Sequence, residues 1–225
     1  VSLEIYNNEF LVILGPGYCG KTVLMNMIAG LEKPVGGKIY LDGEEIHGSD
    51  SRIGMVFQSL NLMPWRTVMA NVEFGLEIAG VSKEERRKTA QKYIDLVGLT
   101  GFENSYPHEL SGGMKQRVGI ARAYTNNPEI LLMDEPFGQL DAQTRYAMED
   151  EVLRIWEQEK RTIIFVTNNI EEAVYLADRI VVLSKCPAKV KAIYDLKDLP
   201  RPRNMTDPEF LKVRSEISDN TDLAL

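Results

Sequence analysis

The sequence predicts an α/β fold: a parallel sheet core with an inserted, mostly helical lobe. Short apolar strands alternate with helices along most of the 225 residues, which favours parallel strands covered on both faces. Residues 66–126 instead show helical periodicity. We therefore predict a single domain over 1–225, with the lobe at about 66–126 and a short C-terminal tail after the core.

The predicted strands share a short apolar run bounded by turn signals. We place them at Phe10–Leu14, Lys38–Leu41, Ile53–Phe57, Ile130–Met133, Thr162–Val166 and Arg179–Leu183. Asp42-Gly43 is a turn signal directly after the second of these. Alternation of apolar and polar residues predicts a further strand-like stretch at Val1–Ile5.

The predicted helices show apolar residues at helical spacing. They cover Lys21–Ala29, Thr67–Ala79, Ser82 to about Val97, Gly113–Tyr124 and Ala142–Glu159. Ser82 and Glu85 have the spacing of a capping box. The tail Leu199–Arg203 contains two prolines and cannot continue a helix, and a short polar helix follows it.

Composition excludes several classes of protein. Hydrophobic residues make up 44% and charged residues 26%, as in ordinary globular proteins. The net charge of −7 argues against a nucleic-acid partner. Two cysteines make a disulfide framework improbable. Because no apolar run approaches the roughly 18 residues that span a bilayer, any membrane connection is expected to go through a partner.

A glycine-rich segment between a buried strand and a helix matches the spacing G-x-x-x-x-G-K-[ST]. It reads Gly15-Pro16-Gly17-Tyr18-Cys19-Gly20-Lys21-Thr22. Backbone N–H groups of such a loop surround phosphate oxygens, and the following helix adds its positive end. The pattern predicts that Lys21 reaches the β- and γ-phosphates of ATP and that the Thr22 hydroxyl ligates Mg²⁺. Cys19 is interpreted as a small loop residue.

The strand Ile130–Met133 runs directly into two carboxylates, Asp134 and Glu135. Asp134 suits a water-mediated contact to Mg²⁺. Glu135 suits a base that orients or polarises the attacking water. Combined with the phosphate-binding segment, this acidic pair predicts nucleotide hydrolysis.

A third motif resembles the signature sequence of ABC transporter ATPases, and the resemblance covers nearly all of the chain. The motif is Leu110-Ser111-Gly112-Gly113-Met114-Lys115-Gln116-Arg117. Ser111, Gly112 and Gly113 open a helix, where free N–H groups and a hydroxyl can hold a phosphate. The resemblance implies that this segment, with Gln116, completes the ATP site of an opposite subunit. It therefore implies a head-to-tail dimer with two enclosed nucleotides.

Other positions of this sequence resemble further motifs of the family. Gln58 resembles the glutamine that links Mg²⁺ and the attacking water to the helical lobe. Gly138–Asp141 resembles the loop that crosses the dimer interface, with Asp141 at the nucleotide and Gln139 where a small residue is usual. By the same resemblance, Asn61–Trp65 and Thr67–Gly75 would contact a membrane permease.

Three further segments resemble the branch that imports nitrate, sulfonate and taurine. They are Leu62–Trp65, Asp134–Gly138 and Leu199–Arg203. The resemblance implies an ATP- and Mg²⁺-dependent importer subunit that works with transmembrane permease subunits and a second ATPase subunit, identical or paralogous. It also implies an extracytoplasmic solute-binding protein, and a location at the cytoplasmic face of the membrane.

The sequence departs from the family at two site positions. Tyr18 stands where glycine is usual, and a non-glycine residue at positive φ costs about 1–2 kcal/mol unless Gly17 takes up the strain. Asn168 stands where a switch histidine is usual, and it cannot become cationic. Loss of one preorganised contact lowers the rate by about 10²–10³, so we expect slow turnover. The predicted catalytic residues are Glu135, Asn168 and Gln58.

The adenine-stacking aromatic residue of the family lies well upstream of the phosphate-binding segment, and the sequence begins 14 residues before Gly15. We therefore expect the N-terminal strand region that carries it to be missing, since Tyr6 is a poor substitute.

Three alternatives remain open. The chain could be a nucleotide-binding regulatory half that hydrolyses little ATP, which Asn168 and Tyr18 favour and Glu135 opposes. A soluble ABC ATPase acting on DNA or ribosomes is disfavoured by the charge and by the short separation of Thr22 from Ser111. A small-molecule kinase would not need the signature motif.

Overall fold

A computed structural model describes residues 1–221. Its strands are β1 Phe10–Leu14, β2 Tyr40–Leu41, β3 Glu44–Glu45, β4 Ile53–Val56, β5 Ile130–Asp134, β6 Thr162–Thr167, β7 Arg179–Leu183 and β8 Val190–Asp195. Its α-helices are α1 Lys21–Ile28, α2 Val68–Val72, α3 Phe74–Ile78, α4 Lys83–Leu96, α5 Gly112–Thr125, α6 Ala142–Glu159, α7 Ile170–Leu176 and α8 Pro208–Asn220, and a 3₁₀ turn covers Pro107–Glu109.

Six strands form one sheet in the order β4-β5-β6-β1-β7-β8. The central strand β1 pairs in parallel with β6 and β7, which confirms the predicted parallel core. The edge strand β8 runs antiparallel to β7, and the sequence did not predict it. Because its residues alternate between half-buried and exposed, β8 lacks the continuous apolar run of the buried strands.

The described chain divides into two compact units. The first contains residues 1–50, 132–135 and 161–221, and the second contains 51–131 and 136–160. The predicted lobe at 66–126 falls within the second unit, and its separate identity stays a prediction. We describe each unit by itself.

The core of the first unit is built on β1, whose five residues are all fully buried. This burial explains why a continuous apolar run predicted the strand correctly. The prediction of a strand-like stretch at Val1–Ile5 is wrong, because this segment forms no ladder. The Arg179 guanidinium holds it instead: it donates to the Glu4 carbonyl (2.5 Å) and lies 4.4 Å from the ring centre of Tyr6, the next residue.

The second unit is mostly helical. Ser82 caps α4 and accepts from the Glu85 N–H, as the capping spacing predicted. The single helix predicted at Thr67–Ala79 is two short helices, α2 and α3, joined at Glu73. The Glu73 carboxylate pairs with Arg86 of α4 (3.1 Å), which fixes this junction against the neighbouring helix.

One further helix, α7, was not predicted. Its seven residues are too few for a clear helical period. The available signal was its cap, because Asn169 precedes Glu171 and Glu172 and accepts hydrogen bonds from both of their N–H groups. No helix among residues 1–221 is long and apolar enough to cross a membrane.

Candidate functional site

The phosphate-binding segment folds as a loop between β1 and α1. Lys21 is 4% exposed, and its ammonium donates to the carbonyl oxygens of Gly15 (2.9 Å) and Pro16 (2.9 Å). Gly20 caps α1 in the left-handed region, with φ 99°, so glycine suits this position. Lys21 is therefore held inside its own loop, close to where the sequence predicts phosphate.

Close packing explains two smaller residues of the loop. The Cys19 side chain is buried, and a Cβ added to Gly15 would lie 3.0 Å from the Cys19 sulfur and 3.2 Å from Leu183 Cβ. Glycine at position 15 therefore leaves room for the thiol beneath the loop. This contact gives Cys19 a packing role in the loop.

Tyr18 carries the backbone strain that the sequence predicted at this position. Its φ is 60°, and Gly17 has no positive φ, so the neighbouring glycine does not take up the strain. The Tyr18 side chain is fully exposed. Its ring therefore points away from the protein core, next to the loop that would hold the phosphates.

The acidic pair lies against the same loop. Lys21 Nζ is 3.3 Å from Glu135 Oε1, and the Glu135 N–H donates to the Val166 carbonyl at 3.0 Å. Glu135 has a φ of 42°, an uncommon conformation for glutamate. Strain of this kind concentrates at functional sites. Part of the Glu135 carboxylate remains exposed, where a water molecule can reach it.

Asp134 and Thr22 form a site that fits Mg²⁺. The Thr22 hydroxyl hydrogen-bonds the Asp134 carboxylate, and Asp134 Oδ1 is buried with no hydrogen-bond partner among the described residues. Burial raises the pKa of Asp134, as does the Glu135 charge, while the Thr22 hydrogen bond and the Lys21 charge lower it. An orphaned carboxylate oxygen beside a hydroxyl matches the oxygen ligands that Mg²⁺ prefers.

Asn168 directly follows β6, beside the loop. Leu14 pairs with Thr167 across β1 and β6, and the Gly15 N–H donates to the Thr167 carbonyl at 3.4 Å. Asn168 is exposed, and Asn169 after it caps α7. The sheet thus brings together Lys21, Glu135 and the residue next to Asn168, all within the first unit.

The signature motif belongs to the second unit. Ser111 caps α5 and accepts from the Met114 N–H at 3.3 Å, and both Ser111 and Gly112 are exposed. A Cβ added to Gly113 would lie 2.9 Å from Thr144 Cγ2, so only glycine allows this close approach to α6. The start of the helix is therefore exposed, and its contact with a phosphate stays a prediction.

Three other predicted site residues also lie in the second unit. Gln58 is exposed just after β4. Asp141 caps α6, and the hydrogen bonds from the N–H and hydroxyl of Thr144 lower the pKa of its carboxyl group. Gln116 is only 2% exposed. Its Nε2 has no hydrogen-bond partner among the described residues, and the nucleotide contact predicted for Gln116 stays a prediction.

A family model described as ABC transporter matches residues 1–138 of this chain. The chain belongs to the ABC transporter family. It is similar to an uncharacterized ABC transporter ATP-binding protein of Methanocaldococcus jannaschii, with 55% identity over 96% of the chain and 81% of the relative.

Two relatives with named solutes are also similar to this ABC protein. The taurine import ATP-binding protein of Yersinia pestis is 46% identical over 96% of the chain and 88% of the relative. The nitrate import ATP-binding protein of a Synechocystis species is 44% identical over 97% of the chain and 85% of the relative. These similarities confirm the resemblance of the sequence to the ATP-binding subunits of the nitrate and taurine branch.

Solved structures of a bacterial ABC transporter cassette share the fold of this ABC protein. A dimeric structure aligns with a TM-score of 0.76 and 36% identity, covering 87% of this chain and 89% of the other. A dimeric post-hydrolysis state bound to ADP and phosphate aligns with a TM-score of 0.74, 35% identity and the same coverage. They confirm the predicted α/β fold of a phosphate-binding-loop ATPase.

Proposed function

We propose that this chain binds and hydrolyses ATP with Mg²⁺ to drive an importer of nitrate-, sulfonate- or taurine-like solutes. The observation that carries the proposal is the arrangement of Lys21, Glu135, Asp134 and Thr22 around one loop. The named taurine and nitrate relatives support the importer assignment. The chain would work as a dimer with an identical or paralogous ATPase subunit.

The proposal includes partners and a location. Transmembrane permease subunits would bind the segments Asn61–Trp65 and Thr67–Gly75, and an extracytoplasmic solute-binding protein would deliver the solute. The chain would then lie at the cytoplasmic face of the membrane, peripheral through the permease. Nucleic acid is not an expected partner, because the net charge is −7.

The geometry supports a specific division of labour. Lys21 would exchange its two loop carbonyls for the β- and γ-phosphate oxygens of ATP. Thr22 and Asp134 would hold Mg²⁺, which neutralises phosphate charge when bound. Glu135 would accept a hydrogen bond from the water that attacks the γ-phosphorus. ADP and inorganic phosphate are the products.

Phosphate release from Mg²⁺-ATP by the purified full chain tests this proposal. We expect Glu135→Gln to lower kcat by about 10²–10⁴ while ATP affinity changes little, because the amide cannot act as a base. Glu129→Gln is the matched control, since Glu129 is an exposed glutamate just before the same strand β5. Equal turnover in wild type and Glu135→Gln would overturn the proposal.

A second candidate function is a nucleotide-holding regulatory half with little hydrolysis of its own. Two observations favour it: Asn168 at the switch position, and the left-handed Tyr18 in the phosphate-binding loop. Asn168→His separates the two functions. Wild-type turnover that Glu135→Gln abolishes supports the motor, whereas bound ATP without turnover until Asn168→His restores it supports the regulatory half.

A further inference from the structure

The tail Leu199–Arg203, which the nucleotide chemistry does not use, lies at the end of α7. The last carbonyl groups of a helix have no partners within it. Arg203 Nη1 donates to the carbonyl oxygens of Val174 (2.6 Å) and Ala177 (2.6 Å). Arg203 Nη2 donates to the Leu196 carbonyl at 2.8 Å. One guanidinium thus joins the C-terminal turn of α7 to the chain that follows β8.

A second arginine of the tail completes this junction. Arg201 Nη2 donates to the Leu176 carbonyl (2.5 Å), and Arg201 Nη1 pairs with Asp178 Oδ1 (2.5 Å). The other oxygen of Asp178 accepts from the Phe10 N–H at 3.0 Å. The tail is therefore linked to α7 and also to the first residue of β1, the strand that leads into the phosphate-binding loop.

The arginine at this junction is buried, and burying its charge costs desolvation free energy. Arg203 is only 6% exposed. Burial and the Arg201 charge lower the pKa of Arg203 to about 10, although Asp178 opposes the shift. A cation at the carbonyl end of a helix meets a favourable partial charge, which offsets part of the desolvation.

The opposite end of α7 is also held by the C-terminal segment. Arg214 of α8 pairs with Glu171 in the first turn of α7 (2.5 Å). The Asn169 side chain caps that turn, and the Asn169 N–H donates to Thr167 Oγ1 at 2.9 Å. Asn168 lies between Thr167 and Asn169, which this last hydrogen bond joins, so any movement of α7 displaces it.

We propose that Arg203 is a positioning residue that fixes Asn168 beside the phosphate-binding loop by anchoring the C-terminal turn of α7. A seven-residue helix is about 10 Å long and moves as one body, so a loosened last turn shifts the first. This inference rests on the proposed ATPase function. It also assigns a role to the tail arginines, which the family resemblance alone left without one.

Hydrogen exchange of the purified full chain tests the inference without requiring turnover. In Arg203→Met, we expect the Glu171 and Glu172 amides, which donate to Asn169, to exchange at least about tenfold faster. Arg203→Lys keeps donors for the carbonyls and should restore most of the protection. Unchanged exchange at both amides in folded Arg203→Met would overturn the inference. If this variant does not fold, Arg201→Met is measured in its place, with the same criterion.

Kinetic measurements distinguish a positioning role of Arg203 from a general contribution to the stability of the fold. We expect Arg203→Met to lower kcat about tenfold with ATP affinity within about twofold, because the phosphate-binding loop itself is intact. The matched control is Arg154→Met, since Arg154 also donates to a carbonyl in the C-terminal turn of a helix, that of Leu96 in α4. An equal loss of kcat in both variants would overturn the inference. A wild type that never turns over would overturn the ATPase proposal alone, and the exchange result would still decide the role of Arg203.

Discussion

At the scale of single residues, the phosphate-binding loop contains the backbone strain that the sequence predicted at Tyr18. Tyr18 has a φ of 60° and a fully exposed ring, so its backbone strain is not offset by side-chain burial. We expect Tyr18→Gly to raise the free energy of unfolding by about 0.5–1 kcal/mol, because relief of the left-handed strain exceeds the added entropy of glycine. Denaturant unfolding of the nucleotide-free chain measures this change.

Tyr18→Ala is the control for this prediction. Alanine removes the ring but keeps the Cβ, so it should leave the free energy of unfolding within about 0.5 kcal/mol of wild type. If alanine stabilised the chain as much as glycine, the exposed ring would be the destabilising feature and the argument from φ would be wrong.

At the scale of secondary-structure elements, Ser111 caps α5, and this structural role can be separated from its proposed contact with a phosphate. Ser111 caps the helix structurally, and its exposed hydroxyl and the first N–H groups would hold a phosphate of the partner's ATP. Ser111→Ala should cost about 1 kcal/mol of stability through loss of the cap. Ser111→Asp should keep the cap but repel phosphate, so turnover should fall further than in Ser111→Ala.

Thermal unfolding and phosphate release, measured on both variants, check this prediction. The two measurements should rank the variants in opposite orders: Ser111→Asp should be more stable than Ser111→Ala but should turn over ATP more slowly. The same order in both measurements would mean that Ser111 acts only as a helix cap. Thr67→Ala is a suitable control, since Thr67 caps α2 in the same way and belongs to no nucleotide motif.

The elements also show where sequence reasoning succeeds. β1, β6 and β7 were predicted to within one residue, because each is a buried, continuous apolar run. β8 and α7 were missed, because an edge strand and a helix of two turns lack such a pattern. The contacts of Arg203 with α7 could not be predicted either, since they join residues that lie 26 and 29 positions apart.

At the scale of the whole molecule, the residues of the proposed ATP site come from separate motifs of the sequence. Motif spacing predicted Lys21, Thr22, Asp134 and Glu135, and the structure places these four together. The role proposed for Ser111 requires a second subunit, so the geometry of one chain cannot show it. The solved cassette of the same family is a dimer, which supports the prediction.

Complementation between subunits tests the predicted head-to-tail dimer. Lys21→Ala inactivates the phosphate-binding loop of its own subunit, and Ser111→Arg blocks the signature motif. Each variant alone should be inactive. In an equal mixture, half of the dimers are mixed, and each mixed dimer contains one intact loop facing one intact signature. Turnover should therefore recover to about one quarter of wild type if the two sites act independently.

The control is the double variant Lys21→Ala/Ser111→Arg mixed with wild-type chain. Its mixed dimers contain no intact site, because the wild-type loop faces a blocked signature and the wild-type signature faces a disabled loop. Only wild-type homodimers would contribute, again about one quarter of full turnover.

Recovery in the first mixture shows that loop and signature act across the interface. No recovery there would mean either that both motifs serve the same subunit or that one intact site cannot turn over alone. A mixed dimer of one wild-type and one Glu135→Gln subunit decides between these outcomes, because it retains one complete site under either geometry.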